Sequence, residues 1–349
     1  MRTDRDRDYK DLQQIIKNAG LLERQPLYYW VKIISTLGLL VGAIIAVPGL
    51  GDNFWFLMAS AVYLAFAFGQ IGYVGHDAGH RAIFRSAKGN EIAGLVVGFL
   101  LGMSPSWWIT VHNQHHSSPN DLDDDPHATL PFMAFSPEKA RQTRGFLRWL
   151  IRYQHIYYWG ILPLESIGLR LASVKFFLKP SGKVRHRVLE PVLLASHFVV
   201  YVWLLWWCGL PLTYTIAFVA VHHGLFGLYY GTVFAPNHKG MLILDKENPL
   251  DFLRTQVLTT RNVKPNPFND LWFGGLNYQI EHHLFPGMPR CNFSKARKLI
   301  KKFCANRGVP YHETGLRASF GEIVASMREA GNAARHPPAV VRIAQGDEV

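Results

Sequence analysis

The chain has 349 residues, of which 49% are hydrophobic, 13% aromatic and 18% charged, and its formal net charge is +12. A soluble protein of this length would divide into two or three domains, but the apolar residues here are bunched into runs of about 20, the length that crosses a bilayer. That bunching argues against a soluble multidomain protein. With no nucleic-acid motif present, the positive charge belongs with topology and anionic lipid headgroups rather than with nucleic acid.

In chain order, the first 26 residues are of mixed charge and lack the apolar core of a secretory signal. Membrane spans are predicted at about residues 27–47, 54–75, 188–208 and 212–235. The connections 48–53 and 209–211 hold no Lys or Arg, whereas Arg2, Arg5, Arg7, Lys10, Lys17 and Arg24 crowd the N-terminus, and the segments 76–187 and 236–349 are rich in both. The positive-inside rule therefore makes both termini and both long segments cytoplasmic. Residues 91–108 are apolar enough to suggest a further span, yet a crossing there would put the histidine clusters described below on opposite sides. They are read instead as a re-entrant or half-buried helix leaving at Ser104-Pro-Ser-Trp-Trp108. Residues 157–178 read as interfacial, and Trp30, Trp55, Trp203, Trp206 and Trp207 as headgroup anchors. The last 20 or so residues, with Pro337-Pro338, are expected to be mobile. Cys208, Cys291 and Cys304 have neither metal-ligand nor redox spacing, and no disulfide framework is predicted.

Three clusters carry the chemistry: His76-Asp-Ala-Gly-His80, His112-Asn-Gln-His115-His116 and Gln279-Ile-Glu-His282-His283. Positions i, i+3 and i+4 share one helix face, so each cluster aims its imidazoles at one point. Convergent imidazoles are a transition-metal site first. The spans place all three clusters on one side, an independent agreement. The seven histidines suggest two metals, or one metal with spare residues. His238 follows the fourth span at the depth of the first cluster and is a candidate eighth ligand; Asn237 is placed to hydrogen-bond a metal-bound water. A zinc hydrolase predicts something else: HExxH is absent, since His312-Glu313 lacks its second histidine. Acids that could orient the rings from behind are Asp77, Glu281 and the run Asp121, Asp123, Asp124 and Asp125, with Asp125 the preferred member. His127, His155, His186, His312 and His336 are expected at surfaces or interfaces. His197, His222 and His223 lie inside spans; His222 is sixteen residues before His238, roughly 24 Å of helix, too far to share its metal. Packing is their favoured role, with a substrate channel as the alternative. Lys295, Arg297, Lys298, Lys301, Lys302 and Arg307 lie on a predicted amphipathic surface helix and are candidates for docking an acidic redox partner or carrier.

Taken together, the order, spacing and sidedness of the clusters resemble the integral-membrane fatty acid desaturases over nearly the whole chain. The resemblance implies an all-α integral membrane protein, a single domain spanning 1–349, with four transmembrane helices and a cytoplasmic helical cap holding a di-iron site. It implies two non-haem iron ions, O2 as co-substrate, and a long-chain acyl substrate linked to CoA, a carrier or a lipid. By the same resemblance His76, His80, His112, His115, His116, His238, His282 and His283 are the iron ligands. Gln279 stands where many members have His, a form similar to desaturases that act between an existing double bond and the carboxyl end. Those usually carry a fused cytochrome b5 domain with a His-Pro-Gly-Gly motif, which does not occur here. The expectation is thus a separate donor, such as ferredoxin or cytochrome b5 with its reductase, and a bacterial plasma membrane location. A hydroxylase of alkyl or carotenoid chains on the same scaffold is the alternative; a transition-metal transporter is a remote one, because its ligands would sit near the bilayer midplane.

Overall fold

The computed structural model describes residues 2–50, 53–128, 130–179, 183–245 and 249–335. His336, Pro337 and Pro338 lie outside the described residues. Four helices are long and apolar enough to cross a membrane: α2 (Pro26–Leu50, apolar from Pro26 to Val47), α3 (Phe54–Gly79), α10 (Leu189–Trp207) and α11 (Leu212–His238). An N-terminal helix, α1 (Arg2–Asn18), precedes them. The boundaries of α3 and α11 correct the sequence reading. Both helices run three or four residues past the apolar stretch, so His76 and His238 sit on the spans' own last turns. Helix geometry, not a loop, therefore fixes the height of both.

α3 lies at the centre, packed against α2, α11 and the next helix, α4 (Ala87–Leu101). Without a hydrophobic drive between helices in lipid, close approach through small residues is what holds such a stem. A Cβ at Gly69 would fall 1.9 Å from the Tyr229 ring, and one at Gly72 1.4 Å from the Tyr230 hydroxyl. Trp30, Trp55, Trp203, Trp206 and Trp207 all face outward.

α4 and α5 (Pro105–Ser117) form a pair bent by 108°. Gly102, at φ +67, ends α4 in the left-handed conformation that glycine adopts without strain, and the Ser104 side chain caps α5. Because His112 on α5 lies beside His80 after α3 (Nε2–Nε2 2.8 Å), the pair returns to the side it left, as the re-entrant reading requires. The buried Glu190 at the start of α10 locks the turn: Ser104 Oγ (2.6 Å), the Ser106 amide (3.1 Å) and Ser106 Oγ all donate to it.

Short helices α6 (Pro137–Gln142), α7 (Gly145–Ile151), α8 (Gln154–Ile161) and α9 (Glu165–Leu178) lie between the stem halves. α9 exposes Ile167, Leu171 and Leu178 at its outer face, as an interfacial helix does. Beyond α11, α12 (Phe252–Leu258), α13 (Pro267–Trp272), α14 (Gln279–Leu284), α15 (Phe293–Asn306) and α16 (Leu316–Ala333) build the cap. A two-residue parallel pairing, β1 (Asn262–Val263) with β2 (Glu313–Thr314), ties the cap's last third to its first. α1 belongs to this layer: Leu12 and Ile16 are fully buried against Leu253, Val257 and Ile300, and Asp8 pairs with Arg254. The mixed-charge N-terminus is thus a lid on the cap's core, a role its sequence did not suggest.

Candidate metal centre

Each histidine cluster arrives on a different element. His76 closes α3 and His80 caps it; His112, His115 and His116 line the last turns of α5; His282 and His283 fill the single-turn α14; His238 ends α11. All eight converge. Nitrogens of His76, His80, His112 and His282 lie within 4.8 Å of one another, and so do those of His115, His238 and His283. His116 joins neither set by that measure. Its Nε2 is 3.1 Å from His112 Nε2, and its ring stacks on His283 at 4.2 Å, so it stands between the sets. The sequence reading left two metals, or one metal with spare residues, open; the structure divides seven of the eight histidines into two sets, with His116 between them.

The second set is held from behind. His115 Nδ1 is 2.9 Å from Asp125 Oδ2, His283 Nδ1 is 2.8 Å from Gln256 Oε1, and His238 Nδ1 is 3.3 Å from the Thr259 carbonyl. Each partner accepts, so each Nδ1 carries the proton and each Nε2 turns a lone pair inward. Gln256 is itself fixed, because its Nε2 donates to the His116 carbonyl at 3.0 Å. Burial pushes the Asp125 carboxyl up, but the contacts with His115 and His127 outweigh it and hold the group well below the usual carboxylate range. Burial, and then the neighbouring imidazoles, lower His282 and His283 well below the ordinary histidine value, so both are neutral, the form that binds a metal.

The first set has a looser frame. His76 Nδ1 is 3.4 Å from Asp77 Oδ1, and Asp77 forms a buried ion pair with Arg290 (2.7 Å). Among the described residues, the outer nitrogens of His80, His112 and His282 have no protein hydrogen-bond partner. This set also borders open space: a cavity of about 390 Å³ is lined by His76, His80, Trp108, Tyr230 and Phe234, with Glu91, Arg185 and His186 at its rim.

Three expectations change. Glu281 does not hold a histidine. It is fully buried, accepts from Asn262 (2.7 Å) and Tyr311 (2.7 Å), and burial pushes its carboxyl up to about 7 against those two hydrogen bonds. Through Asn262, which also accepts from the Ile280 amide, it braces the start of α14. Asn237 does not face an open coordination site: its Nδ2 donates to Gln279 Oε1 (3.0 Å), while Gln279 Nε2 lies 3.0 Å from His238 Nε2. Asn237 Oδ1 is buried and unpartnered. Turning both amides over would satisfy that oxygen and present Gln279 Oε1 to the second set. Arg297 is not free for docking, because it pairs with Glu313 through both nitrogens, and Lys301 also reaches Glu313 (3.3 Å). Arg307 is drawn to Asp8 and Asp11. Lys295, Lys298 and Lys302 remain exposed on α15.

The donor set fits the two irons that the sequence resemblance implies. Seven imidazoles in two sets, with buried Nε2 atoms of His282 and His283 lacking any partner, leave polar groups that a cation or its bound water would satisfy.

Comparison with known proteins agrees with this geometry. The sequence model of the fatty acid desaturase family matches residues 53–315, a stretch that includes all eight histidines. An acyl-lipid (9-3)-desaturase of Physcomitrium patens is 30% identical over 94% of the chain and 63% of its own length. The Delta(6)-fatty-acid desaturase fat-3 of Caenorhabditis elegans is 33% identical over 87% of the chain and 70% of its length. A Delta(8)-fatty-acid desaturase of Helianthus annuus is 28% identical over 88% and 70%. The chain therefore spans about two thirds of the length of these relatives.

Proposed function

Since the chain belongs to the fatty acid desaturase family, a family of oxidoreductases, we propose that it is an O2-dependent membrane desaturase that introduces a double bond into a long acyl chain. The observation that carries the reading is the pair of imidazole sets beside an apolar-walled cavity. His76, His80, His112 and His282 would hold one iron, and His115, His238 and His283 the other, with His116 between them and Gln279 offering an amide oxygen to the second. When bound, the irons supply the strong oxidant that an unactivated methylene requires, using O2 and two external electrons.

The chain's own residues do the rest. The cavity wall of Trp108, Tyr230 and Phe234 holds an alkyl segment against His76 and His80 and keeps water from it. Asp125, Gln256 and the Thr259 carbonyl hold three imidazoles in one tautomer, so no ring must turn during turnover. The basic face of α15, with Lys295, Lys298 and Lys302, is offered to an acidic donor such as ferredoxin or cytochrome b5. The charge sorting of the connections supports a reading in which both termini and the cap are cytoplasmic, in a bacterial plasma membrane.

The test is the acyl profile of a host expressing the chain, with double-bond positions located by mass spectrometry and His116→Ala as control. New unsaturated chains, absent with the variant, are expected, and a bond on the carboxyl side of an existing one would place Gln279 with the carboxyl-side desaturases. Hydroxylated chains in place of alkenes would transfer the reading to the oxygenase alternative.

A further inference from the structure

The segment that follows the third histidine cluster joins the two sets. α14 supplies His282 to the first set and His283 to the second, so its placement fixes both at once. It is a helix of six residues with no side-chain cap at its start, too short to hold its own position in isolation. Just beyond it, a Cβ at Gly287 would lie 3.6 Å from the His80 carbonyl oxygen, and Arg290 pairs with Asp77 (2.7 Å), which stands behind His76. Residues 284–292 therefore touch the histidine-bearing ends of α3 and α14 alike.

The N-terminal segment grips this stretch at three points. Tyr9 on α1 donates from its hydroxyl to the Leu284 carbonyl (3.0 Å), the carbonyl that ends α14. Such a terminal carbonyl has no partner within its own helix. The Tyr9 ring is itself held, edge-on to Phe252 at 4.6 Å and stacked on Phe285 at 5.8 Å. Burial raises the phenol above its ordinary value, so it remains a donor. Arg24, between α1 and α2, donates from Nη1 to the Gly287 carbonyl (3.3 Å), and Asn292 Nδ2 donates back to the Leu21 carbonyl (2.9 Å). These polar contacts are separate from the apolar packing of Leu12 and Ile16, and all of them end on residues 284–292.

We propose that Tyr9 and Arg24 are positioning residues of the metal centre: through residues 284–292 they set α14 against the end of α3, and so hold His282 and His283 at the spacing that the two sets require. The bracing is two-sided. Glu281, Asn262 and Tyr311 hold the start of α14 from within the cap, and Tyr9 and Arg24 hold its far side. A group outside the ligand shell acts on metal affinity by limiting how far the ligands can move, which is the effect expected here. Arg24 thus does more than mark a cytoplasmic end of the chain. The inference rests on the metal-centre reading but not on the reaction, and its test measures metal rather than turnover.

The experiment is iron release from the full-length, iron-loaded protein to excess ferrozine under reducing conditions, followed by absorbance, with the thermal midpoint of each variant measured alongside. Tyr9→Phe keeps both ring contacts and removes only the hydroxyl; alone it should speed release severalfold. Combined with Arg24→Met it is expected to release iron from both sets about 10-fold faster, and Arg24→Lys in place of Arg24→Met should recover much of the loss. Arg307→Gln is the control. It loosens the same helix by removing pairs with Asp8 and Asp11 but reaches no residue from 284 to 292, so release should match the unaltered protein. Unchanged release in Tyr9→Phe and in the double variant would overturn the proposal. So would equal acceleration in Arg307→Gln, which would reduce the effect to a general loosening of α1. An unaltered protein that holds no iron would instead overturn the metal-centre reading, and this inference with it.

Discussion

The two histidine sets use the same side chain in different frames. In the second set, His115, His238 and His283 are each fixed at Nδ1 by an acceptor: Asp125 for the first, and the Thr259 carbonyl and Gln256, both from α12 and its C-cap, for the other two. In the first set only His76 has a carboxylate behind it, at 3.4 Å, and His76 and His80 border the cavity. A ring held at both nitrogens keeps one tautomer and one orientation, whereas a ring held at one can adjust. The lesson is a division of labour: the second set is built for rigid retention, and the first lies where an acyl chain would approach.

The comparison breaks most completely if a ligand candidate is dispensable. Alanine at His112, His282, His115 or His283 is expected to lower turnover more than about 100-fold, beyond the loss that a supporting residue causes; steady-state assays on iron-loaded protein would show it, and near-normal turnover in any one would remove that histidine from its set. Supporting residues sharpen the contrast. Asp125→Asn and Gln256→Leu should each cost about 10- to 100-fold in activity or iron affinity, while Asp77→Asn, behind the looser set, should cost less. Titration of iron into metal-stripped protein measures this, and a reversed order would deny the difference in frames. The smallest effect belongs to the surface. Replacing Lys295, Lys298 and Lys302 together should slow donor-dependent turnover severalfold at low salt and little at high salt, because exposed charges are screened within about 10 Å at 0.1 M; a loss independent of salt would leave those lysines no role in docking.

How much of this was legible in the sequence follows from the range of each interaction. The spans and histidine clusters were, because apolar length and i, i+4 spacing are local. The re-entrant pair was too, since a charge-sorted topology left residues 91–108 nowhere else to go. Gln256, Asn262, Arg290 and Tyr311 were not. Each acts on a residue far along the chain, as when Arg290 pairs with Asp77, and none sits in a motif. Glu281 was misjudged for the same reason: its place inside the third cluster suggested a histidine partner, but α14 turns it toward Tyr311. Arg297 was counted with the lysines on one helix face, and its pairing with Glu313 depends on β2, two residues long and without a sequence signature.

Metal content tests the central claim most directly. Elemental analysis of the full-length protein, purified from iron-sufficient cells, should give about two irons per chain, falling to about one in His283→Ala if the sets bind separately. One iron in the unaltered protein, or stoichiometric zinc, would contradict the two-set account.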